Sequence, residues 1–428
     1  MKKIVKTLLT FIQVRWIKKF HSRKELEKYQ NKEIKKHLNY LKNKSPYFRK
    51  NNIKGDFITD KKFVMENFDE LNTLGIKKEE AMNIALESER TRDFGKKYEK
   101  FSVGLSSGTS GHRGIFVTTD SEQAVWAGTI LAKMLPRGKL FGHRIAFFLR
   151  ADNELYKTVN SFIIRLEYFD TFKSVNEHID RLNKLNPTIL IAPASMLILL
   201  GERKKHGMLK ICPKKIISVA EILEKKDEEF ISECFGNKII HQIYQATEGF
   251  LACTCPCGSL HLNEDIIKFE KEYIDEKRFY PIITDFKRTS QPFVKYRLND
   301  ILVENNKPCK CGSVFQRIEK IEGRSDDIFE FYNKKNQIVT AFPDFIRRCM
   351  LFSEGIREYQ VFQTEYDRLE IAVPEINENQ KEQILREFEK LFDSLNVENI
   401  RIKFVEYNTD NKIKLKRICQ KMKKEGRK

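Results

Sequence analysis

Short apolar runs of strand length alternate with helix-length segments through the middle of this 428-residue chain. The runs occupy residues 144–149, 188–192, 215–219 and 238–244. Strands that are separated by helices at such intervals predict a parallel sheet with crossover connections. We therefore predict an α/β fold in which a large N-terminal domain contains mixed or parallel sheets and helices.

A second pattern begins after residue 323. It predicts strands at 327–332, 360–363 and 368–373, a helix near 344–350 and a helix at 379–395. Such a series is typical of a small α+β unit, and we expect it to form a mobile C-terminal domain. The chain then divides into a basic helical segment at 1–46, a large domain at 47–322 and a small domain at 323–428. A chain of this length is expected to form more than one domain, because single hydrophobic cores stop growing at about 250 to 300 residues.

The positive charge of the chain lies at its two ends. The formal net charge is +19, and residues 1–50 carry 16 basic and 3 acidic side chains while residues 411–428 carry 9 and 1. The two ends thus carry net charges of +13 and +8, which leaves a net charge of −2 for residues 51–410. A protein that grips a polynucleotide spreads Lys and Arg over one face, so nucleic acid is not the expected partner.

The first 20 residues have the character of a basic amphipathic helix. Arg15, Lys18 and Lys19 interrupt the apolar run, which is too short for a membrane span. Two interpretations are open: a helix lying on anionic lipid, or a helix packing its Leu8, Ile12 and Trp16 face on the protein. We expect a cytoplasmic protein, with peripheral membrane contact as the alternative.

The segment at 106–114 combines three glycines, four hydroxyl residues and one guanidinium. Its candidate nucleotide-binding residues are Ser106, Ser107, Gly108, Thr109, Ser110, Gly111 and Arg113. Glycines allow backbone N–H groups to approach a ligand closely, and this composition suits a polyphosphate. The spacing fits neither a Walker loop nor the Rossmann fingerprint. A surface turn rich in Ser and Gly is the alternative.

This segment resembles the phosphate loop of the adenylate-forming superfamily, which contains acyl-CoA synthetases, luciferases and peptide synthetases. Four more segments resemble the family's motifs in the family's order, at 218–221, 244–249, 296–300 and 323–327. The resemblance implies that Tyr244 lies beside adenine, that Thr247 meets the α-phosphate and that Glu248 helps to hold magnesium. It therefore implies ATP and Mg²⁺ as ligands.

The remaining motifs imply further nucleotide contacts and a hinge. By resemblance, Ala220 and Glu221 wall the adenine site, Asp300 binds the ribose hydroxyls and Arg324 lies near the ribose. The segment at 323–327 resembles the hinge between the large and small domains. The large domain would then bind the nucleotide and the acyl group, and the small domain would act as a lid.

The family's catalytic lysine has a less clear counterpart. The matching stretch at 411–418 lacks the usual Gly, and its ending favours Lys414, with Lys412 and Lys416 as alternatives. Arg113 stands where many relatives have Lys, which keeps the charge but changes the geometry. Lys414, Glu248 and Thr247 are the candidate catalytic residues.

Two short-spaced cysteine pairs predict a metal site. Its candidate ligands are Cys255, Cys257, His261, Cys309 and Cys311. Four of these five would give a tetrahedral S₄ or S₃N site, which selects zinc, and a closed site of that kind is structural. Unliganded surface cysteines are the alternative.

The cysteine pairs also resemble those of the phenylacetate-CoA ligase and coenzyme-F synthetase branch of the superfamily. The zinc site would then be an insertion in the large domain.

The resemblance implies an ATP-dependent ligase that activates a carboxylic acid as an acyl-AMP and passes it to a thiol such as CoA. One alternative is nucleotidyl transfer to a non-carboxylate, aryl acceptor, as in coenzyme-F synthetase. Another is a zinc-containing protein that binds nucleic acid or a membrane without catalysis. The expected partners are ATP and a small carboxylic acid or aryl acceptor.

Overall fold

The computed structural model describes residues 2–51, 53, 57–91, 97–98, 101–105, 114–138, 140–149, 164–171, 173–324, 327–351, 356, 358–407 and 417–422. The chain forms two compact units. The first contains Met1–Leu298 and Val303–Lys320, and the second contains Asn299–Leu302 and Ile321–Lys428. The predicted loop residues 106–113 and the lysines 412, 414 and 416 lie outside the described residues.

The helices of the first unit precede and alternate with its strands. Those described are α1 (Lys2–Ile12), α2 (Arg23–Lys44), α3 (Pro46–Lys50), α4 (Lys61–Glu66), α5 (Phe68–Leu71), α6 (Lys78–Thr91), α7 (Asp120–Met134), α8 (Ile179–Leu185), α9 (Ala194–Lys205) and α10 (Lys225–Phe235). A π-helical turn at Gln13–Ile17 continues α1. Helix α7 begins with a capping box, in which Thr119 and Glu122 each bond the other's backbone N–H.

The strands of the first unit belong to a small sheet and a large one. They are β1 (Lys97–Tyr98), β2 (Phe101–Leu105), β3 (Ile115–Thr119), β4 (His143–Leu149), β5 (Ile164–Asp170), β6 (Ile189–Ala192), β7 (Lys215–Val219), β8 (Ile240–Ala246), β9 (Gly249–Thr254), β10 (Leu260–Leu262), β11 (Ile267–Tyr273), β12 (Arg278–Asp285), β13 (Tyr296–Arg297), β14 (Asp300–Asn305) and β15 (Arg317–Arg324). Strands β1 to β3 form the small antiparallel sheet. The large sheet has the order β11-β12-β14-β15-β10-β9-β8-β7-β6-β4-β5, with β13 paired to β12.

The four predicted strands lie in the parallel part of the large sheet, together with β5, which was not predicted. Neighbouring strands run parallel from β5 through β4, β6 and β7 to β8. Helices α8, α9 and α10 pack their apolar side chains on these strands, and Phe148 stacks on Phe169 at a centroid distance of 4.8 Å in this core. The prediction of an α/β fold is confirmed. The rest of the sheet pairs antiparallel from β8 to β9 and β10, and from β11 to β12.

The second unit is the α+β series predicted after residue 323. It contains β16 (Phe329–Tyr332), β17 (Ile338–Ala341), α11 (Pro343–Leu351), β18 (Gln360–Glu365), β19 (Arg368–Ala372), α12 (Glu378–Leu395), β20 (Arg401–Val405) and β21 (Ile418–Gln420). Four of its strands form a sheet in the order β20-β19-β18-β21. Side chains from this sheet and both helices share one apolar core. Strand β14 starts and β15 ends with residues of this unit.

The N-terminal helix packs on the protein with only part of its predicted face. Helix α1 lies against α7, and Ile12 is half-buried, whereas Leu8 is 53% exposed and Trp16 is 50% exposed. Most of the predicted apolar face is therefore left exposed. Among the described residues, no helix combines the length and apolar character needed to cross a bilayer.

Candidate functional site

A small pocket in the first unit collects residues from three of the predicted motifs. Gly114 comes from the end of the loop at 106–114, Thr247 and Glu248 come from the segment at 244–249, and Tyr296 begins the segment at 296–300. The pocket is also lined by Lys61, Val64, Met65, Ile115, Gln291 and Phe293. Residues that are far apart in sequence thus converge at one place.

Thr247 and Glu248 are placed by the end of a parallel strand. Strand β8 ends at Ala246, which pairs with Gly249 at the start of β9, so Thr247 and Glu248 form the intervening turn. A Cβ atom at Gly249 would lie 3.1 Å from Oδ2 of Asp285, which leaves little room for any larger residue. The carboxyl ends of parallel strands are where ligands bind in open α/β sheets.

The carboxylate of Glu248 is held by two hydroxyl groups. The hydroxyl of Tyr296 donates to Oε1 at 3.0 Å, and the hydroxyl of Thr247 donates to Oε2 at 2.8 Å. Each carboxylate oxygen has a lone pair left, so both can still accept or coordinate. An oriented carboxylate of this kind fits the preference of Mg²⁺ for oxygen ligands.

A buried arginine that the sequence analysis did not identify supports this turn. The guanidinium of Arg288 donates to the backbone carbonyl of Thr247 and, at 3.2 Å, to that of Val117. Burial lowers the pKa of Arg288, and the carboxylates of Glu122, Asp285 and Glu248 oppose that shift. Arg288 therefore ties the Thr247 turn to β3, the strand that follows the predicted phosphate loop.

Glu122 fixes the segment that contains Arg288. Its Oε1 accepts hydrogen bonds from the backbone and hydroxyl of Thr289 and from the backbone of Ser290. Its Oε2 accepts from the backbone and hydroxyl of Thr119 and from the hydroxyl of Ser290. The side chain is buried, and although that burial acts to raise its pKa, these bonds and Arg288 lower the pKa below the usual value. The next residue, Gln291, lines the pocket.

The segments predicted to wall the adenine site lie at the neighbouring strand ends. Ala220 follows β7 with a positive φ of 64°. The carboxylate of Glu221 accepts from the backbone and hydroxyl of Ser195 at 2.9 and 3.1 Å, which caps the start of α9. Tyr244 is buried in β8. Within the described residues, these three lie outside the lining of the pocket.

Asp300 and Arg324, predicted to contact the ribose, are close to each other in the second unit. Nε of Arg324 lies 3.4 Å from Oδ1 of Asp300. Gly323, which precedes Arg324, has a φ of 150°, and a Cβ atom there would lie 3.1 Å from Pro343. Of the hinge residues predicted at 323–327, those at 325–326 lie outside the described part of the chain.

Four of the five predicted metal ligands cluster. The ligand atoms of Cys255, His261, Cys309 and Cys311 all lie within 4.8 Å of one another. Sγ of Cys255 lies 3.7 Å from Sγ of Cys309, and Sγ of Cys311 lies 3.5 Å from Nε2 of His261. A tetrahedral zinc ion with Zn–S near 2.3 Å places two sulfurs about 3.8 Å apart and a sulfur and a nitrogen about 3.6 Å apart. The donor set therefore fits zinc.

The surroundings of the cluster also suit a metal. Nδ1 of His261 lies 2.9 Å from the backbone carbonyl of Phe315, so it donates there and leaves Nε2 to coordinate. Gly258 and Gly312 follow the two pairs with φ of 84° and 74°, the left-handed conformation that glycine adopts readily. Cys257 is exposed and takes no part, but its backbone N–H donates to Sγ of Cys255 at 3.3 Å.

The chain has the fold of adenylate-forming enzymes. The prediction of that fold is confirmed. Among solved structures, the chain matches 2-hydroxyisobutyryl-CoA ligase in complex with 2-HIB-AMP, with a TM-score of 0.62, 16% identity, and coverage of 94% of this chain and 89% of that chain. It also matches the amide bond synthetase McbA of Marinactinospora thermotolerans, with a TM-score of 0.54, 12% identity, and coverage of 72% and 66%.

A third structure and one sequence relative extend the comparison. ATP-bound MatB of Rhodopseudomonas palustris matches with a TM-score of 0.53, 13% identity, and coverage of 72% of this chain and 65% of that chain. Protein CapK of Staphylococcus aureus is 22% identical over 390 residues, which cover 86% of this chain and 83% of CapK. No protein-family model matches the chain. The phenylacetate-CoA ligase branch stays a prediction.

Proposed function

We propose that this protein is an ATP-dependent adenylate-forming ligase that activates a carboxylic acid as an acyl-AMP. The observation that carries the proposal is the pocket in which the end of the Ser/Gly-rich loop meets the turn of Thr247 and Glu248. The solved structures of the same fold support it, because one of them holds an acyl-adenylate and another holds ATP.

The reaction joins two anions, so its barrier is largely electrostatic. An oxygen of the substrate carboxylate forms a bond to the α-phosphorus of ATP while the bond to the bridging oxygen breaks and pyrophosphate leaves with its electron pair. The Thr247 hydroxyl would contact the α-phosphate, and Glu248 would hold Mg²⁺. Magnesium held at Glu248 would neutralise phosphate charge.

The remaining roles rest on the family resemblance. Asp300 and Arg324 would bind the ribose, Tyr244 and the Ala220 turn would lie near adenine, and Lys414 would stabilise the reacting phosphate. Arg288 would act as a positioning residue, since it holds the carbonyl of Thr247 and not a substrate atom.

We further propose that Cys255, His261, Cys309 and Cys311 bind one structural zinc ion. The distances between their ligand atoms support it, as does the hydrogen bond that orients His261. With four protein ligands the site has no open position for water, so its role would be to join the loop at 255–261 to the loop at 309–312.

For the second half-reaction we propose a thiol such as CoA as the acceptor. The support is that 2-hydroxyisobutyryl-CoA ligase has been solved with both its acyl-adenylate and CoA.

The test is acid-dependent exchange of labelled pyrophosphate into ATP across a panel of aryl and fatty acids. Glu248→Gln keeps the size of the side chain but removes its charge, so exchange should fall at least tenfold, about 1.4 kcal/mol in barrier height. Glu66→Gln on the exposed surface of α4 is the matched control and should leave the rate unchanged. If no acid supports exchange, or if Glu248→Gln exchanges as well as the control, the proposal fails.

A further inference from the structure

Helix α1 is attached to the protein through its polar face. Nζ of Lys3 donates to Oε1 of Gln123 at 2.7 Å and lies 3.3 Å from Oδ1 of Asp120, both at the start of α7. At the other end, the guanidinium of Arg15 donates to the carbonyls of Ala132, Leu135 and Pro136 at 2.7 to 2.9 Å. Ala132 lies in the last turn of α7, Leu135 is its C-cap and Pro136 follows, so Arg15 satisfies acceptors at the helix end that have no partner within the helix.

The two helices approach each other closely. A Cβ atom at Gly128 of α7 would lie 2.5 Å from the backbone oxygen of Thr7 and 2.7 Å from Cβ of Thr10. The side of α1 that carries Thr7 and Thr10 therefore faces α7 at backbone contact distance. With polar anchors at both ends and this contact between them, the orientation of α1 is fixed.

The opposite face of α1 and its π-helical continuation exposes large apolar side chains. At least 50% of the residue surface is exposed in each of Ile4, Val5, Leu8, Leu9, Trp16 and Ile17. Single exposed apolar residues need no explanation, but a continuous apolar face on one helix marks a binding surface. We call these six residues the α1 apolar face.

The charge around the α1 apolar face distinguishes between partners. Residues 1–24 contain eight basic residues and no acidic one; Lys2 and Lys19 are exposed, and Lys6, also exposed, donates to the hydroxyl of Ser121 in α7. In a symmetric dimer the same surface meets itself, so a second copy would place these cations opposite one another. Anionic lipid offers both an apolar interior and complementary charge, and a Trp side chain suits the boundary between them.

We propose that the α1 apolar face is a peripheral membrane anchor that lies in the interface of an anionic bilayer. The apolar side chains enter the headgroup boundary, and the flanking lysines contact the lipid phosphates. The proposal is independent of the chemistry at the Thr247 turn, because it rests only on residues of α1, its continuation and α7.

The test uses the full chain with Trp126→Phe, which leaves Trp16 as the single tryptophan. Vesicles of phosphatidylcholine alone and vesicles that also contain phosphatidylglycerol are compared by co-sedimentation and by Trp16 emission. We expect binding and a blue shift with the anionic vesicles, and weaker binding as salt is raised. Leu8→Glu combined with Leu9→Glu should lower the partition coefficient at least tenfold without lowering the melting temperature, since both side chains are exposed.

Two further variants distinguish binding through the α1 apolar face from non-specific binding of the protein to vesicles. Ile17→Ser removes an apolar side chain from the far end of the same face and should also weaken binding, whereas Met208→Glu, at a 45% exposed position elsewhere, should not. Absent binding to anionic vesicles, or binding that is equal in the double variant and the Met208 control, would overturn the proposal. So would a dimer in sedimentation equilibrium that the double variant abolishes, because a second copy would then cover the face.

Discussion

Replacing Glu122 by Gln is the perturbation whose cost follows most directly from the contacts. The carboxylate accepts three hydrogen bonds at each oxygen, and an amide must present its NH₂ group to one of these two sets. On one side it would face the backbone N–H groups of Thr289 and Ser290, and on the other that of Thr119. Hydroxyl groups can rotate to become acceptors, but a backbone N–H cannot.

The magnitude follows from the number of donors left without a partner. In either orientation at least one buried backbone donor loses its acceptor, at about 1–3 kcal/mol, and charge-assisted bonds become weaker neutral ones. We expect Glu122→Gln to lower the free energy of unfolding of the first unit by about 2–4 kcal/mol. The segment that contains Arg288 and Gln291 should loosen as well.

Urea unfolding followed by the fluorescence of Trp126 measures this loss of unfolding free energy, because Trp126 is on the same helix as Glu122. Trp16→Phe removes the other tryptophan from the signal. Glu66→Gln serves as the surface control and should stay within about 0.5 kcal/mol of the parent. A Glu122→Gln protein as stable as that control would refute the reasoning, because six hydrogen bonds to one buried carboxylate would then have no measurable value.

Three other outcomes are expected. The purified protein should contain about one zinc per chain by elemental analysis. The Cys309→Ser variant should lose this zinc and the Cys257→Ser variant should keep it. Equal loss of zinc in both variants would contradict the assignment of Cys309, and not Cys257, as a ligand. Burial, helped by the nearby charge of Lys287, lowers the pKa of His37 to about 4, so the unfolded chain binds a proton at His37 more readily than the folded protein does. The free energy of unfolding should therefore fall by about 3 kcal/mol as the pH drops from 6.5 to 4. His37→Leu should flatten the urea midpoint over that pH range, and an unchanged slope would exclude His37 as the cause. Arg288→Met leaves the carboxylates of Glu122 and Asp285 without a buried cation and should cost about 3–5 kcal/mol in calorimetry, while a loss near zero would show that this charge is not needed.

The sequence predicted four of the five parallel strands and the second unit because their signals are local, whereas β5 was not predicted. A buried parallel strand is a continuous apolar run, and the runs at 215–219 and 238–244 match β7 and β8 within two residues. The antiparallel strands β9 to β12 were not predicted. Strand β11 shows the reason. Four of its seven residues, Ile267–Tyr273, are charged, so its composition is closer to that of an exposed loop than to that of a buried strand.

The parts of the site that the sequence did not predict depend on distant pairs. Glu122 contacts Thr289 across 167 positions, and no local pattern indicates that Arg288 is buried behind Thr247. The cysteine spacing predicted a metal site, but only the geometry separates Cys257 from the four clustered ligands. The sequence of residues 1–20 likewise predicted an amphipathic helix, but it did not determine which face of that helix contacts the protein.

The central claim is that the Thr247 turn and the loop ending at Gly114 hold the phosphates of ATP. A crystal structure of the full chain grown with ATP and magnesium tests it most directly. We expect density for the α-phosphate within hydrogen-bonding distance of the Thr247 hydroxyl and a magnesium ion bound by Glu248. A nucleotide bound elsewhere, or an empty pocket at millimolar ATP, would contradict the account.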